Sequence, residues 1–210
     1  DTREFDLGHF LQNKSLGRLS CHGAVSGFAA NVRHREGESE LFIDDISISK
    51  LDFNDYCYSN ISATGIFRGS EFDGRIVAAD PNLKFMMQGI LALSGKTGND
   101  LYRLKLSLGH ADLAALNFDK REISTIRLNA DADFTHTTRG SYIGRISISD
   151  IICHSPEGYH DLGDIVIKSF SGGDRYSVRV ESDLLEASYR GSAFITTAFE
   201  EVKGAFLRGK

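Results

Sequence analysis

The sequence predicts a mainly β protein: one long, curved, U-shaped sheet built from tandem repeats, with a short amphipathic helix at its C-terminal end. Three observations predict it. From Leu19 onward apolar and polar residues alternate with a period of two, which sends each kind of side chain to its own face of a strand. A cluster of strand-like residues recurs about a hundred positions further on. Glycines fall within the apolar rows, at Gly65, Gly74, Gly89, Gly144 and Gly191, where strands kink or let a second backbone approach.

The first copy of the repeat holds Ile46-Ser-Ile48-Ser49, Gly74-Arg-Ile-Val-Ala-Ala-Asp80 and Leu83-x-Phe85-x-Met87-x-Gly89. The second holds Gly144-Arg145, Ile146-Ser-Ile148-Ser149 closed by Asp150, Val178-x-Val180-x-x-Asp183 and Leu185-x-Ala187-x-Tyr189-x-Gly191. Both open alike, Asp6-Leu7-Gly-His-Phe10 matching Asp112-Leu113-Ala-Ala-Leu116. Approximate modules 1–111 and 112–210 follow. The two Asp segments have room for one or two helical turns that bridge neighbouring modules.

Taken in order, the clearest strands are Phe72 to Ala78, Leu83 to Leu93, Leu101 to Leu108, Ile126 to Phe134, Tyr142 to Ile148, Gly163 to Ser169, Tyr176 to Val180 and Leu185 to Ala193. In Ile126, Leu128, Ala130, Ala132 and Phe134 every second side chain is apolar, while Arg127, Asn129, Asp131 and Asp133 face the other way. That strand is wet on one face. Apolar positions are even before Asp80 and odd after Pro81-Asn82, and the same switch recurs around Asp183-Leu184, so a tight turn or bulge returns each next strand to the same apolar face. Thr197 and Glu200 resemble a capping box ahead of Phe199, Val202 and Phe206, which predicts the helix over 197–208.

Composition narrows the function classes. The 210 residues carry a net charge of -5 with both signs interspersed, which leaves no basic stripe for nucleic acid. No apolar run reaches membrane-spanning length. Without an initiator Met, signal peptide or lipidation motif, the chain reads as an internal segment of a longer protein. Cys21, Cys57 and Cys153 lack any metal-binding or redox spacing and read as small buried or half-buried residues.

An apolar sheet face must be covered by a second sheet, by helices, or by its own curvature. With helices scarce and glycines in the apolar rows, bending is favoured over a sandwich with turn glycines. The expected lining is Phe72, Ile76, Phe85, Met87, Leu91, Leu104, Leu106 and Leu128, continued by Phe134, Ile146, Ile148, Ile165, Ile167, Val178, Val180 and Tyr189. About a dozen strands would make a trough on the order of 60 Å long with walls of roughly 20 to 25 Å. Acyl chains fit that section. Exposing a bare chain of about sixteen carbons to water costs on the order of 12 kcal/mol, which an apolar lining largely removes.

These residues resemble the AsmA/TamB-like family, the translocation and assembly module proteins of Gram-negative envelopes. The resemblance rests on Asp6-Leu-Gly-His-Phe-Leu-Gln-Asn-Lys-Ser-Leu-Gly17, on Tyr56-x-Tyr58-x-Asn60-Ile61 followed by Gly65, and on Phe72-x-Gly74 running into Asp80-Pro81-Asn82. Ala111-Asp112-Leu113-x-x-Leu116 and Ser182-Asp183-Leu184-Leu185-x-Ala187 complete it. Together they span most of the chain; each alone is hydrophobic spacing with a few turn residues. The resemblance implies a grooved β repeat protein anchored in the inner membrane and crossing the periplasm, with a role in outer-membrane biogenesis and phospholipid movement. It implies as partners phospholipid or another acyl-chain ligand, adjoining modules of the same chain, and outer-membrane assembly proteins. Cut edges imply edge-to-edge self-association of this segment.

Sharper chemistries find less support. His154, His160, Asp161 and Asp164 lie close in sequence and His110 sits near Asp112, yet no metal-ligand spacing such as HExxH appears, so neither a metal nor a cofactor is expected. No GxSxG turn marks a nucleophile, and no enzyme activity is expected. Tyr56 and Tyr58 could stack a sugar but suit aromatic packing better. Two alternatives stay open: a scaffold for outer-membrane proteins working by β-strand addition, and a carbohydrate-binding or adhesin β-solenoid.

Overall fold

A computed structural model of the protein describes residues 1–28, 40–94, 98–118, 125–138, 141–172 and 175–191. The chain folds as fourteen strands of one antiparallel, open, curved sheet. Strand β1 (Thr2–Asp6) leads into a single helical turn, α1 (Leu7–Leu11), and then β2 (Leu16–Phe28), β3 (Glu40–Phe53), β4 (Tyr56–Tyr58) and β5 (Ile61–Arg68). The middle of the sheet is β6 (Glu71–Asp80), β7 (Leu83–Ala92), β8 (Asp100–Asp112), β9 (Thr125–His136) and β10 (Tyr142–Ser155). It ends with β11 (Gly158–Asp161), β12 (Ile165–Gly172), β13 (Arg175–Ser182) and β14 (Glu186–Gly191). The path is a meander in which each strand pairs with its neighbour in sequence; only β4, against β3, and β11, against β10, lie off it.

The parity switches are hairpin registers. Ala78 pairs with Phe85, Ile76 with Met87 and Phe72 with Leu91, around the two-residue turn Pro81-Asn82. Val180 pairs with Ala187 and Val178 with Tyr189, around a turn closed by Ser182 N–H donating to Leu185 O at 2.9 Å. An even-to-odd change is what an antiparallel return demands if the same side chains are to stay on one face. The ladder runs unbroken past position 112, since β8 pairs with both β7 and β9. Two strands start later than expected: β12 at Ile165, after Gly163 turns the chain with φ +65, and β14 after Leu185, which belongs to the turn; β8 and β10 run on past their expected ends to Asp112 and Ser155. The helix expected over 197–208 lies outside the described residues. Among those described, no helix is long and apolar enough to cross a membrane.

Both Asp segments cap one-turn elements. Asp6 accepts a hydrogen bond from His9 N–H at 2.8 Å, and Asp112 accepts from Ala114 and Ala115 N–H at 3.1 and 2.9 Å. Each turn closes on a left-handed residue, Gln12 at φ 52 and Asn117 at φ 62. The turn after β3 links them: Asn54 N–H donates to Ser15 O at 2.8 Å, and the amides of Asn54 and Asn117 each donate to the other's carbonyl, at 2.9 and 3.1 Å. The two capped turns and the turn after β3 thus form a short stack along one end of the strands.

That end also holds the main buried cluster: Tyr58, Ile61, Ala78, Ala111 and Leu116, flanked by Phe53, Phe85, Leu108 and Ile126. Leu116, on the turn capped by Asp112, is 1% exposed. Tyr56 and Tyr58 pack edge to face, 4.7 Å between ring centres. Cys21 and Cys153 are half-buried, but Cys57 is exposed, because its neighbours Tyr56 and Tyr58 take the inward face of β4.

One carboxylate ties this end together. Asp80 is 1% exposed, and accepts hydrogen bonds from Tyr56 Oη at 2.6 Å, Ser59 N–H at 2.9 Å, Ser59 Oγ at 3.0 Å and Asn82 N–H at 2.9 Å. Asn82 Nδ2 donates in turn to Tyr56 Oη at 3.1 Å. Burial pushes the Asp80 carboxyl up, but the bonds from Tyr56, Asn82 and Ser59 outweigh it and hold the group below its usual range. Burial, and then donation to Asp80, push the Tyr56 hydroxyl up.

Because the folded carboxyl is the stronger acid, its stabilisation is complete above the unfolded-state value of about 3.9 and is lost as pH falls through the lower folded value. Asp80→Asn should therefore cost about 2 to 3 kcal/mol at neutral pH, since its amide would face the Ser59 donors. Urea midpoints measured from pH 7 to pH 3 should fall less in Asp80→Asn than in the wild type. Equal stability at pH 7 would remove Asp80 from its anchoring role.

Candidate functional site

Strand register places all sixteen candidate residues on one face of the sheet. An outer row runs from Phe72 through Leu91, Tyr102 and Phe134 to Gly144, Ser169, Val178 and Tyr189. The next runs Gly89, Leu104, Ala132, Ile146, Ile167 and Val180. A third takes Ile76, Met87, Leu106, Ala130, Ile148 and Ile165. Phe85 and Leu128 belong to a fourth, with Ala78 and Leu108, which meets the buried cluster. All sixteen are half-buried. Among the described residues no second layer lies over the central rows; the covering turn at 113–118 packs only at the Asp80 end.

At the opposite end the face carries aromatic rings. Phe67 and Phe72 lie 4.8 Å apart, Tyr102 stacks on Phe134 at 4.5 Å and 13°, and His136 stacks on Tyr142 at 4.6 Å. His136 Nδ1 is 3.2 Å from Asp100 Oδ2. Burial pushes the Tyr102 hydroxyl up, with Asp100 adding to it. Tyr142 stands 56% exposed at this rim.

Glycine decides the shape between the rows. Gly65, Gly74 and Gly89 pair across three adjacent strands, and the Phe72 ring lies over the first two, in the space their missing side chains leave. Gly89 has φ +139, and a Cβ there would run into the carbonyl oxygen of Arg103 on β8. At this point the two backbones approach too closely for any other residue.

The cavities open on the other face. One of about 560 Å³ is walled by Thr64, Arg75, Gln88, Arg103, Lys105 and Asp131 over the backbone of the glycine row. Smaller ones, of about 300 to 330 Å³, follow β9 toward its start. Arg103 pairs with Asp133 at 3.5 Å and Lys105 with Asp131 at 3.8 Å, both exposed. Such wet pairs fix register more than they stabilise.

Sequence reading missed these cavities, and the two nearest the start of β9 depend on β-bulges. Gly109 and His110 of β8 together oppose Arg127 of β9, and Asp150 and Ile151 of β10 together oppose Leu128. Asp150 takes φ +54, with its N–H donating to Asp164 at 3.3 Å. A signal existed: apolar spacing slips from two to three between Leu108 and Ala111 and again between Ile148 and Ile151. His160 bonds to Ser155 Oγ at 3.0 Å, and no group of three His, Cys, Asp or Glu residues able to hold a metal occurs among the described residues.

Gly89→Ala should lower stability by about 2 kcal/mol or more, because alanine at that φ is strained and its Cβ displaces β8. Gly172→Ala, where a Cβ meets nothing within 4 Å, is the matched control. Thermal melts of the two variants settle it: equal losses would mean that the close approach at Gly89 does not matter. No family model, curated protein or solved structure matches this chain.

Proposed function

We propose that the apolar face binds lipid acyl chains, and that the chain works as a segment of an envelope protein that carries or shields them between inner and outer membranes. One observation carries the reading: three adjoining apolar rows run across the middle of a single-layer sheet with no described element over them, and only the fourth is covered, by the turn that carries Leu116. A soluble domain would bury such a face against a second layer. Twelve strands on the main path, at about 4.8 Å each, make it roughly 50 Å across, longer than an extended acyl chain of sixteen carbons. Its width is closed at the Asp80 end by Leu116 and left open at the aromatic rim.

The periplasmic setting and the role in outer-membrane biogenesis belong to the same proposal and draw on the resemblance to AsmA/TamB-like proteins. Outer-membrane assembly by strand addition is the second reading, favoured by the outer edges of β1 and β14, which pair with no other described strand.

Leu128→Arg and Ile148→Asp each put an unpaired charge on the apolar face, where it finds no partner. Mass spectrometry of organic extracts from the purified protein should show bound lipid reduced at least tenfold in both, with the far-ultraviolet β spectrum kept. Asn129→Arg, on the wet face, should bind as the wild type does. Equal lipid recovery from all four proteins would end the acyl-chain reading.

A further inference from the structure

We propose that the wet face carries a binding site for a phosphoryl group, built at the two bulges on either side of β9 and independent of the acyl-chain face. A cavity of about 300 Å³ there is lined by Gly109, His110, Thr125, Ile126, Arg127, Ile152, His154 and Tyr159. Among the described residues its polar side chains are two imidazoles, a guanidinium, a phenol and a hydroxyl, and none is a carboxylate. That inventory suits a tetrahedral oxyanion, which needs several N–H and O–H donors converging on it.

The fold explains why they converge. In a regular ladder Arg127 would face one residue on each side. Here the extra residue of the β8 bulge brings His110 opposite it, and the β10 bulge shifts Ile152 into register with it. Bulges re-aim side chains and part the strands locally, which makes the floor of the cavity. Beyond the bulge β10 leaves β12 and pairs with β11, so that His154 lies opposite Tyr159 with ring centres 4.5 Å apart. Tyr159 is 80% exposed and forms one wall.

Charge separates this cavity from its larger neighbour. In the 560 Å³ cavity Arg103 and Lys105 already face Asp133 and Asp131. Among the described residues Arg127 and His110 make no ion pair or side-chain hydrogen bond. The carboxylates around it turn to other donors: Asp150 accepts from Asn129 Nδ2 at 2.8 Å, Asp112 from the Ala114 and Ala115 N–H groups, and Asp161, opposite Ile152, from Gly163 N–H at 2.9 Å. The Arg127 guanidinium is the one fixed positive charge among the described lining residues, and the imidazole, phenol and hydroxyl groups add hydrogen-bonding partners for an anion.

The test titrates inorganic phosphate into the full chain and follows the imidazole signals of all seven histidines by NMR. His110 and His154 should move together and saturate, and Arg127→Gln should weaken binding about tenfold or more, the loss expected for one charge-assisted contact. Backbone amide dispersion confirms that Arg127→Gln is folded, and His110→Gln, at the same cavity, provides a second variant with the same expectation. Vesicles of phosphatidylcholine with and without phosphatidic acid identify the source. Cosedimentation that needs phosphatidic acid and Arg127 assigns a lipid headgroup; phosphate binding without cosedimentation assigns a soluble phosphoryl ligand. Uniform small shifts across all histidines, or unchanged affinity in both variants, overturn the site.

Discussion

Backbone pairing carries this molecule, because little else is hidden from water. Only six apolar residues of the described chain are fully buried, five of them in the cluster beside Asp80. A sheet one layer thick keeps two faces open, so its strands are held by their ladder and by contacts between rows of the same face. That scarcity gives Asp80 its importance: it joins the turn before β5 to the turn after β6, at the one place where apolar packing is complete.

Much of this was legible in sequence because an antiparallel meander is a local structure. The hairpins β5–β6, β6–β7, β12–β13 and β13–β14 each lie within a stretch of about 20 residues, and the parity of their apolar positions states their register. Phe72, Ile76 and Ala78 answer Leu91, Met87 and Phe85 with no information from elsewhere in the chain. Asp6 and Asp112 were legible as helical starts for a related reason, since a cap is a relation between neighbours three residues apart.

What escaped depends on distant pairs. Asp80 followed by Pro81-Asn82 reads as a turn, and it is one; its burial comes from Tyr56, twenty-four residues earlier. Asn54 and Asn117 exchange amide bonds across sixty-three residues, a pairing that no local pattern announces. The slips in spacing at Leu108–Ala111 and Ile148–Ile151 are local, but it takes the pairing of both bulges against β9 to bring His110, Arg127 and His154 to one cavity. The expectation that the glycines bend the sheet placed all attention on the apolar face. The glycine row also forms the floor of the 560 Å³ cavity on the other face.

A meander has a bearing on how such a chain can grow. Two added strands bring the backbone back to the end from which it left, so the strands that follow keep their direction, their register and their apolar side. One added strand reverses everything downstream. Lengthening by duplication is therefore tolerated in hairpin units, and the near-copies around Gly74–Gly89 and Gly144–Gly191 have the form that such doubling leaves behind. The Asp80 cluster is not repeated at Asp183, where the turn is exposed and closed by Ser182 alone. One anchored hairpin with unanchored copies beside it is an arrangement whose length can drift while its fixed point stays in place.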